Sequence, residues 1–213
     1  CGHAHERGGM DTHDNVTGIK YIGCKTYNCY RGFHLKGNDN ELIGCRSDNS
    51  NIAAIDIIGS KNKVTSFIAK TVENGNGVNI RGNSNTLTSV IVENKCVNGV
   101  VIENGANYNI LYDVKTRNCS ERGFVVNGDL NHLVAVENRL APLNGMRIEG
   151  NLNIVTSFSS EMHTAGHGIT VVGQKNSIVN GYIEGPGGTG VRTLAGSNEN
   201  IISGLKIRDF ADA

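Results

Sequence analysis

The 213-residue sequence has no tryptophan, only two prolines and no run of about 18 apolar residues. Without such a run, we predict no insertion into a membrane. The 20 basic and 20 acidic residues cancel, so no net charge favours nucleic acid or a membrane surface as a partner. Sugar-binding sites commonly use indole rings, and here six tyrosines would have to take their place. Glycine is abundant at 28 residues, which is typical of a turn-rich β array and not of a disordered chain.

An asparagine recurs every 22 to 24 residues along most of the chain. Each follows a glycine and a short spacer and precedes an apolar run; the eight are Asn40, Asn62, Asn85, Asn109, Asn131, Asn153, Asn176 and Asn200. Self-similarity at such a period predicts a solenoid. Asparagine tolerates left-handed backbone and can hydrogen-bond to its equivalents in adjacent coils, and the neighbouring glycine can supply a second position with positive φ. We therefore interpret these asparagines as an internal ladder that belongs to the scaffold.

The segments before each glycine alternate between apolar and polar residues. In one of them Phe33 and Leu35 are predicted to point inward, while His34 and Lys36 point outward. No segment carries a sustained helical stripe, and the Leu-dominated phrase of leucine-rich repeats is absent. We therefore predict an all-β parallel β-helix of about eight to nine coils, because stacked coils share a core that one coil cannot bury. It forms one domain over residues 1–213, with an irregular first coil at 1–14 and regular coils at 15–213. Since no capping helix is visible at either end, we expect this domain to be a fragment of a longer chain.

The glycine–asparagine phrases over residues 9–210 resemble those of the right-handed parallel β-helix, or pectate-lyase-like, superfamily. Within that class the chain looks most like the β-helical bodies of phage tailspikes and appendages. The resemblance implies a right-handed single-stranded solenoid that binds and degrades a host cell-surface polysaccharide, as a homotrimer on a virion tail or otherwise extracellular, without a cofactor. The class also includes lyases, epimerases and inert fibres. Two alternatives therefore stay open: a structural or adhesive fibre segment without activity, and a secreted polysaccharide lyase or epimerase.

The clearest departure from the repeat is the segment 1–14, which is rich in histidine and charged residues. In strand register, Asp11 and His13 share the outer face, and His34 lies beside Asp11 on the next coil, about 4.8 Å away. A carboxylate beside an imidazole suits general acid–base chemistry on a glycan. The resemblance implies a catalytic role for Asp11 and His13. We predict the catalytic set Asp11, His13, His34 and Glu6, with Arg7 orienting the substrate.

The reaction type stays open at this point. A glycoside hydrolase needs two carboxylates about 5.5 Å or 6.5–9.5 Å apart, which Asp11 would form with Glu6 or Asp56. A lyase or epimerase needs a base and an arginine, which Asp11, His13 and Arg7 would also supply. The spacing of His3 and His5 resembles a metal pair as well, but we predict no metal site.

The predicted outward positions form a polar strip that runs along the coils. With Arg7, the expected substrate-binding residues are Asp56, Asn79, Arg81, Glu103, Asn127, Arg147 and Glu149. Amide and charged groups in such a strip can hydrogen-bond to the hydroxyls of a long glycan. The same strip would also serve as a subunit interface of a homotrimer, and an inward-facing ionic strip is a third possibility.

Two further features are weaker. Glu161, His163 and His167 cluster at one turn, about 34 Å from the first cluster by coil spacing, and form an independent candidate site. Six cysteines occur without a CxxC pair, and several occupy equivalent positions in the repeat. We predict that they are buried thiols, with a Cys24–Cys29 or Cys24–Cys45 disulfide as the alternative.

Overall fold

A computed structural model of the chain describes residues 8–162 and 166–209. In this part of the chain there are 21 strands and no helix, hence none long and apolar enough to cross a membrane. The strands are β1 (Gly8–Thr12), β2 (Lys20–Ile22), β3 (Lys25–Tyr27), β4 (Arg31–Leu35), β5 (Glu41–Ile43), β6 (Arg46–Ser50), β7 (Ala53–Ile57), β8 (Lys63–Val72), β9 (Asn76–Ile80), β10 (Thr86–Glu93), β11 (Asn98–Ile102), β12 (Ile110–Arg117), β13 (Arg122–Val126), β14 (His132–Val134), β15 (Glu137–Ala141), β16 (Asn144–Ile148), β17 (Ile154–Met162), β18 (His167–Val171), β19 (Ser177–Glu184), β20 (Val191–Thr193) and β21 (Ile201–Arg208).

The strands form two parallel sheets. The first has nine strands in the order β1-β4-β7-β9-β11-β13-β16-β18-β20, and the second has 12, of which nine follow the order β2-β5-β8-β10-β12-β14-β17-β19-β21. Each strand pairs with the equivalent strands of the coils before and after it, for example β4 with β1 and β7. The predicted all-β parallel solenoid is therefore confirmed, with about eight turns.

The 12-stranded sheet turns a corner in every coil. In the long strands the corner is a single residue in the left-handed region of φ, namely Ser66, Ser89, Asp113, Ser157, Asn180 and Gly204. In the other coils the corresponding residue separates two short strands, as Gly23 separates β2 from β3. Since each corner turns the chain toward the facing sheet, the two sheets enclose one core, in which Phe33 and Phe67 pack edge to face at 5.6 Å between ring centroids.

The eight repeated asparagines stack on one another through hydrogen bonds. The backbone N–H of Asn62 and its side-chain Nδ2 both donate to Oδ1 of Asn85, at 2.8 and 3.2 Å, and the backbone of Asn85 donates onward to Asn109. The expectation that the asparagine itself adopts left-handed backbone is wrong. The left-handed conformation lies one residue before each asparagine, as at Ser84 and Leu130. The chain therefore changes direction at that residue, and the asparagine side chain that follows can enter the core.

The repeated glycines have a different role from the predicted one. Gly59 and Gly82 do not have positive φ. A Cβ placed on Gly82 would instead collide with the carbonyl oxygen of Gly59 in the previous coil. Glycine is thus required at this position because consecutive coils approach closely through their backbones.

The prediction of free thiols is wrong for three of the described cysteines. Cys96 and Cys119 form a disulfide between adjacent coils, with Cα atoms 4.7 Å apart. The parallel stack places equivalent residues at a separation that a disulfide can bridge. Cys29 is disulfide-bonded as well. Cys24 and Cys45 are free thiols, so neither predicted alternative link involving Cys24 is formed.

Candidate functional site

The outer strip is built from three neighbouring columns of the nine-stranded sheet. Its central column pairs in register from coil to coil and comprises Asp11, His34, Asp56, Asn79, Val101, Val125, Arg147, Thr170 and Arg192. One flanking column contains Arg31, at the start of its strand, and the other contains Lys36, just after the end of the same strand. The residues on either side of the central column in the strand, such as Phe33 and Leu35, belong to the hydrophobic core, so the central column faces outward as predicted.

Most of the central column is nevertheless buried. His34 is 7% exposed, Asp56 0% and Asn79 7%. The burial arises because longer side chains from the flanking columns lie across it: Asn76, for instance, donates its Nδ2 to Oδ1 of Asn79 at 2.8 Å. Direct contact with a ligand therefore falls to the flanking columns and to Asp11, which is partly exposed at the N-terminal end of the central column. The predicted direct role of Asp56 in substrate binding does not suit its complete burial.

At the N-terminal end of the strip, one imidazole lies between two carboxylates. Nδ1 of His34 is 3.6 Å from Oδ2 of Asp11, and its Nε2 is 3.7 Å from Oδ2 of Asp56. The predicted pairing of Asp11 with His34 in register is thus confirmed. Lys36 lies 3.3 Å from the same oxygen of Asp11, so this carboxylate, which is 30% exposed, has a cationic and an imidazole neighbour.

Asp56 is held by two arginines from opposite flanks of the strip. Nε of Arg31 donates to its Oδ2 at 2.9 Å, and Nε of Arg81 lies 3.3 Å from its Oδ1. Each guanidinium uses its Nε for this contact, and the Arg81 side chain remains 44% exposed. Asp56 thus neutralises part of the positive charge of Arg31 and Arg81, and it lies beneath their two guanidinium groups. Oδ1 of Asp56 and Nε2 of His34 are buried without a hydrogen-bond partner in the described structure.

Burial lowers the pKa of His34 below its ordinary value, while the carboxylates of Asp56 and Asp11 act in the opposite direction. Arg31 and Lys36 add to the lowering. A neutral imidazole next to a partly exposed carboxylate is a suitable proton acceptor.

Farther along the strip, an open polar pocket of about 300 Å³ lies just past the C-terminal ends of β11, β13 and β16. Its lining residues carry amide, carboxylate and backbone groups: Asn104, Asn127, Asp129, Glu149, Gly150 and Asn151. Asn127 and Glu149 were predicted to bind substrate, and the structure brings them together here. Glu149 also accepts a hydrogen bond from Nε of Arg147 at 2.6 Å, which orients both side chains.

Other predicted residues are separate from this arrangement. Glu6 and Arg7 lie outside the described residues, as does His163. His13 is exposed just beyond the end of β1. Glu161 lies 3.6 Å from Arg139, on the 12-stranded sheet.

His167 starts a strand of the nine-stranded sheet and contacts the backbone N–H of Thr189 and the guanidinium of Arg192. Burial and Arg192 lower the pKa of His167. Glu161 and His167 thus lie on different sheets. Within the described ranges no cluster of three or more His, Cys, Asp or Glu side chains is arranged to hold a metal.

The sequence patterns did not predict Arg31 and Lys36 as site residues. Lys36 stands in the alternating pattern beside His34, so that pattern contained a signal for it. Arg31 stands at the start of its strand, and only the stacking of coils brings it to Asp56, 25 positions later. No local motif records such a contact.

No family model and no curated protein matches the chain. Solved structures of the tailspike protein of E. coli bacteriophage HK620 do match in fold. A double mutant of that protein is 12% identical with a TM-score of 0.66, over 92% of this chain and 46% of that chain. A mutant in complex with a hexasaccharide is 11% identical with a TM-score of 0.64, over 93% and 41%. A structure in complex with a pentasaccharide is 10% identical with a TM-score of 0.59 over the same shares. The chain thus spans less than half the length of these tailspike chains, and the likeness concerns the fold.

Proposed function

We propose that the chain is the β-solenoid body of a phage tailspike-like protein that binds a host cell-surface polysaccharide along the outer strip. The observation that carries this proposal is the polar pocket of about 300 Å³, whose lining includes Asn127 and Glu149 of the outer strip. Its volume is at the lower end of the range of about 300–1,000 Å³ for ligand sites, and amides and carboxylates are the groups that pair with sugar hydroxyls. The tailspikes of similar fold that were solved with oligosaccharides support the same ligand class. The location that follows is a virion tail or the cell exterior.

We further propose that the N-terminal end of the strip cleaves the bound glycan. Asp11 is the carboxylate that a substrate can reach, and His34 is the neutral base next to it, 3.6 Å away. Asp56 is completely buried, so it acts by positioning His34, Arg31 and Arg81. His13, Glu6 and Arg7 remain candidates for substrate contact in the same region.

The binding proposal is tested with a panel of purified bacterial surface polysaccharides in a surface-immobilised binding assay. The variants N127A and E149Q remove a hydrogen-bonding group from the pocket, and E199Q alters an exposed carboxylate outside it. We expect E149Q to weaken binding roughly tenfold or more, since a hydrogen bond to a charged group contributes about 1.5–3 kcal/mol. N127A should weaken binding about two- to tenfold, since a hydrogen bond between neutral groups contributes about 0.5–1.5 kcal/mol, while E199Q should bind as the native chain does. If no polysaccharide binds, or if both pocket variants bind normally, the proposal is wrong.

The cleavage proposal is tested on a glycan that binds, by following new reducing ends and the formation of unsaturated products. Replacing Asp11 by Asn, or His34 by Gln, should lower the rate about 10²–10⁴-fold with binding retained. Binding without any cleavage by the native chain would favour the alternative, an adhesive or structural fibre segment. The close ion pair between Asp11 and Lys36 is the observation in favour of that alternative, because it leaves the carboxylate already neutralised.

A homotrimeric assembly is also proposed. Exposed apolar side chains on the 12-stranded sheet support it: Ile110 and Ile154 are each 44% exposed and lie on either side of His132, and Tyr112 is 51% exposed. Exposed apolar side chains that lie close together often mark a protein–protein contact. Light scattering after size exclusion should give three times the mass of the chain, and Y112S with I154S should shift it toward one chain.

A further inference from the structure

Cys24 and Cys45 occupy the same place in two consecutive coils. Each follows a glycine with a left-handed φ of 62°, at the corner of the 12-stranded sheet. The residues that follow them, Lys25 and Arg46, pair in register, and the backbone N–H of Arg46 donates to the carbonyl of Cys24 at 2.9 Å. The two cysteines are therefore direct neighbours across the parallel sheet.

The spacing between coils is suitable for a disulfide. Cys96 and Cys119 are bonded between two other coils with Cα atoms 4.7 Å apart. Disulfides form at Cα separations of about 4.4–6.8 Å, and neighbouring strands lie about 4.8 Å apart. The thiol of Cys45 also points toward the earlier coil, because its Sγ lies 3.2 Å from the carbonyl oxygen of Tyr21.

The geometry points to Cys24 and Cys45 as an oxidative modification site, a dithiol that closes to a disulfide between the first two described coils. The oxidant is a low-molecular-weight disulfide such as oxidised glutathione. Cys24, which is half-buried, attacks one sulfur of the oxidant, so that a mixed disulfide forms and one glutathione thiol leaves. Cys45 then attacks the Cys24 sulfur and releases the second glutathione thiol. Two cysteine thiols thus lose two protons and two electrons, which reduce one glutathione disulfide to two thiols.

The order of the two steps follows from the surroundings of each sulfur. Cys45 is buried, and burial raises the pKa of its thiol. The attacking group must be an accessible thiolate, so Cys24 reacts first and Cys45 resolves the mixed disulfide.

The bond would join the two coils that carry Asp11 and His34, on β1 and β4 respectively. It would therefore limit the opening of the first coil away from the second, because a cross-link reduces the freedom of the unfolded segment. This inference does not depend on glycan binding or on cleavage.

The experiment treats the native chain with graded ratios of reduced to oxidised glutathione, quenches it with an alkylating agent and maps its peptides without reduction. We expect a cross-linked pair of peptides containing Cys24 and Cys45, with a loss of two hydrogens and no glutathione retained. The melting temperature should rise by roughly 5 °C or more relative to the reduced form.

Two serine variants make the assignment specific. C45S should stop at a glutathione adduct on Cys24, whereas C24S should leave Cys45 unmodified, since the buried thiol meets the oxidant slowly. The Cys96–Cys119 peptide is the internal control in every sample. Two results with the native chain would overturn the inference: accumulation of a glutathione adduct on Cys24, or a cross-link from Cys24 to a cysteine other than Cys45. Since both are measured on the native chain, they do not depend on whether either variant folds.

Discussion

Arg31 and Asp56 form an ion pair of 2.9 Å in which the carboxylate is completely buried and the arginine side chain is 19% exposed. The two residues are 25 positions apart and belong to consecutive coils. A second arginine, Arg81, approaches the other oxygen of Asp56 from the coil beyond. One buried carboxylate thus orders two guanidinium groups on the surface of the outer strip, and the energetics of this cluster can be measured.

The first prediction concerns Asp56→Asn. The substitution keeps the shape of the side chain but removes the charge between two arginines and next to His34. Breaking one partner of a buried pair typically costs about 3–5 kcal/mol, so we expect a loss of this order in the free energy of unfolding, measured by urea denaturation. As a control, Glu199→Gln alters an exposed pair of 3.8 Å with Lys175 and should change stability by less than about 0.5 kcal/mol. Equal effects of the two substitutions would show that the cluster adds nothing to stability.

The second prediction concerns the pH dependence of stability. The pKa of His34 is lowered in the folded chain by burial, against the opposing carboxylates of Asp56 and Asp11. The unfolded chain therefore takes up this proton first, at the ordinary value near 6.5, and the stability present above that pH is lost as the pH falls through it.

His34→Gln removes this contribution. Between pH 7.5 and 5.5 the native chain should lose stability more steeply than the variant, by at most about 1.4 kcal/mol per pH unit. Unfolding midpoints in a buffer series measure the difference. Because His167, which contributes with the same sign, is present in both proteins, it cancels. A steeper loss in the variant would mean that Asp11 and Asp56 dominate the titration of His34.

The third prediction concerns the asparagine stack. Asn85 accepts hydrogen bonds from the backbone N–H and the side chain of Asn62 inside the core. Asn85→Ala leaves these donors buried without a partner, so a loss of about 2–4 kcal/mol is expected from thermal or urea unfolding.

The matched control for that prediction lies two residues earlier. Asn83 accepts a hydrogen bond from the backbone N–H of Asn107 at 2.7 Å, but it is exposed to solvent. Asn83→Ala should cost less than about 1 kcal/mol, because water can replace the lost acceptor. If both substitutions cost the same, burial of the stack is not what stabilises it.

The fourth prediction distinguishes two physical reasons why a position requires glycine. Gly82 has ordinary φ, but a Cβ there would meet the backbone carbonyl of Gly59. Gly105 has a φ of +82° with open space around it. Gly82→Ala should therefore destabilise by about 2–3 kcal/mol through forced separation of coils, and Gly105→Ala by about 1 kcal/mol through backbone strain. Amide hydrogen exchange should show loosened protection in both coils next to Gly82 but only local change near Gly105.

Much of the architecture could be predicted from the sequence because a solenoid repeats one local solution. The period of the asparagines and the alternation at Phe33, His34 and Leu35 were sufficient to predict the parallel stack and the neighbours of each residue, including Asp11 beside His34. Period-two alternation states on which face of a sheet a side chain lies. It does not predict whether long side chains from neighbouring positions cover that side chain and bury it.

The sequence by itself therefore determined the coil, its repeat and which residues stack, since these depend on local patterns that recur along the chain. Only the tertiary structure decided what the stacked residues do. It buried Asp56 under Arg31 and Arg81, and it moved the left-handed turn position one residue ahead of each asparagine. It also paired Cys96 with Cys119 while leaving Cys24 and Cys45 as adjacent thiols. The physical reason is that each of these outcomes depends on side-chain reach and backbone approach between coils, which residues about 22 positions apart in sequence do not encode locally.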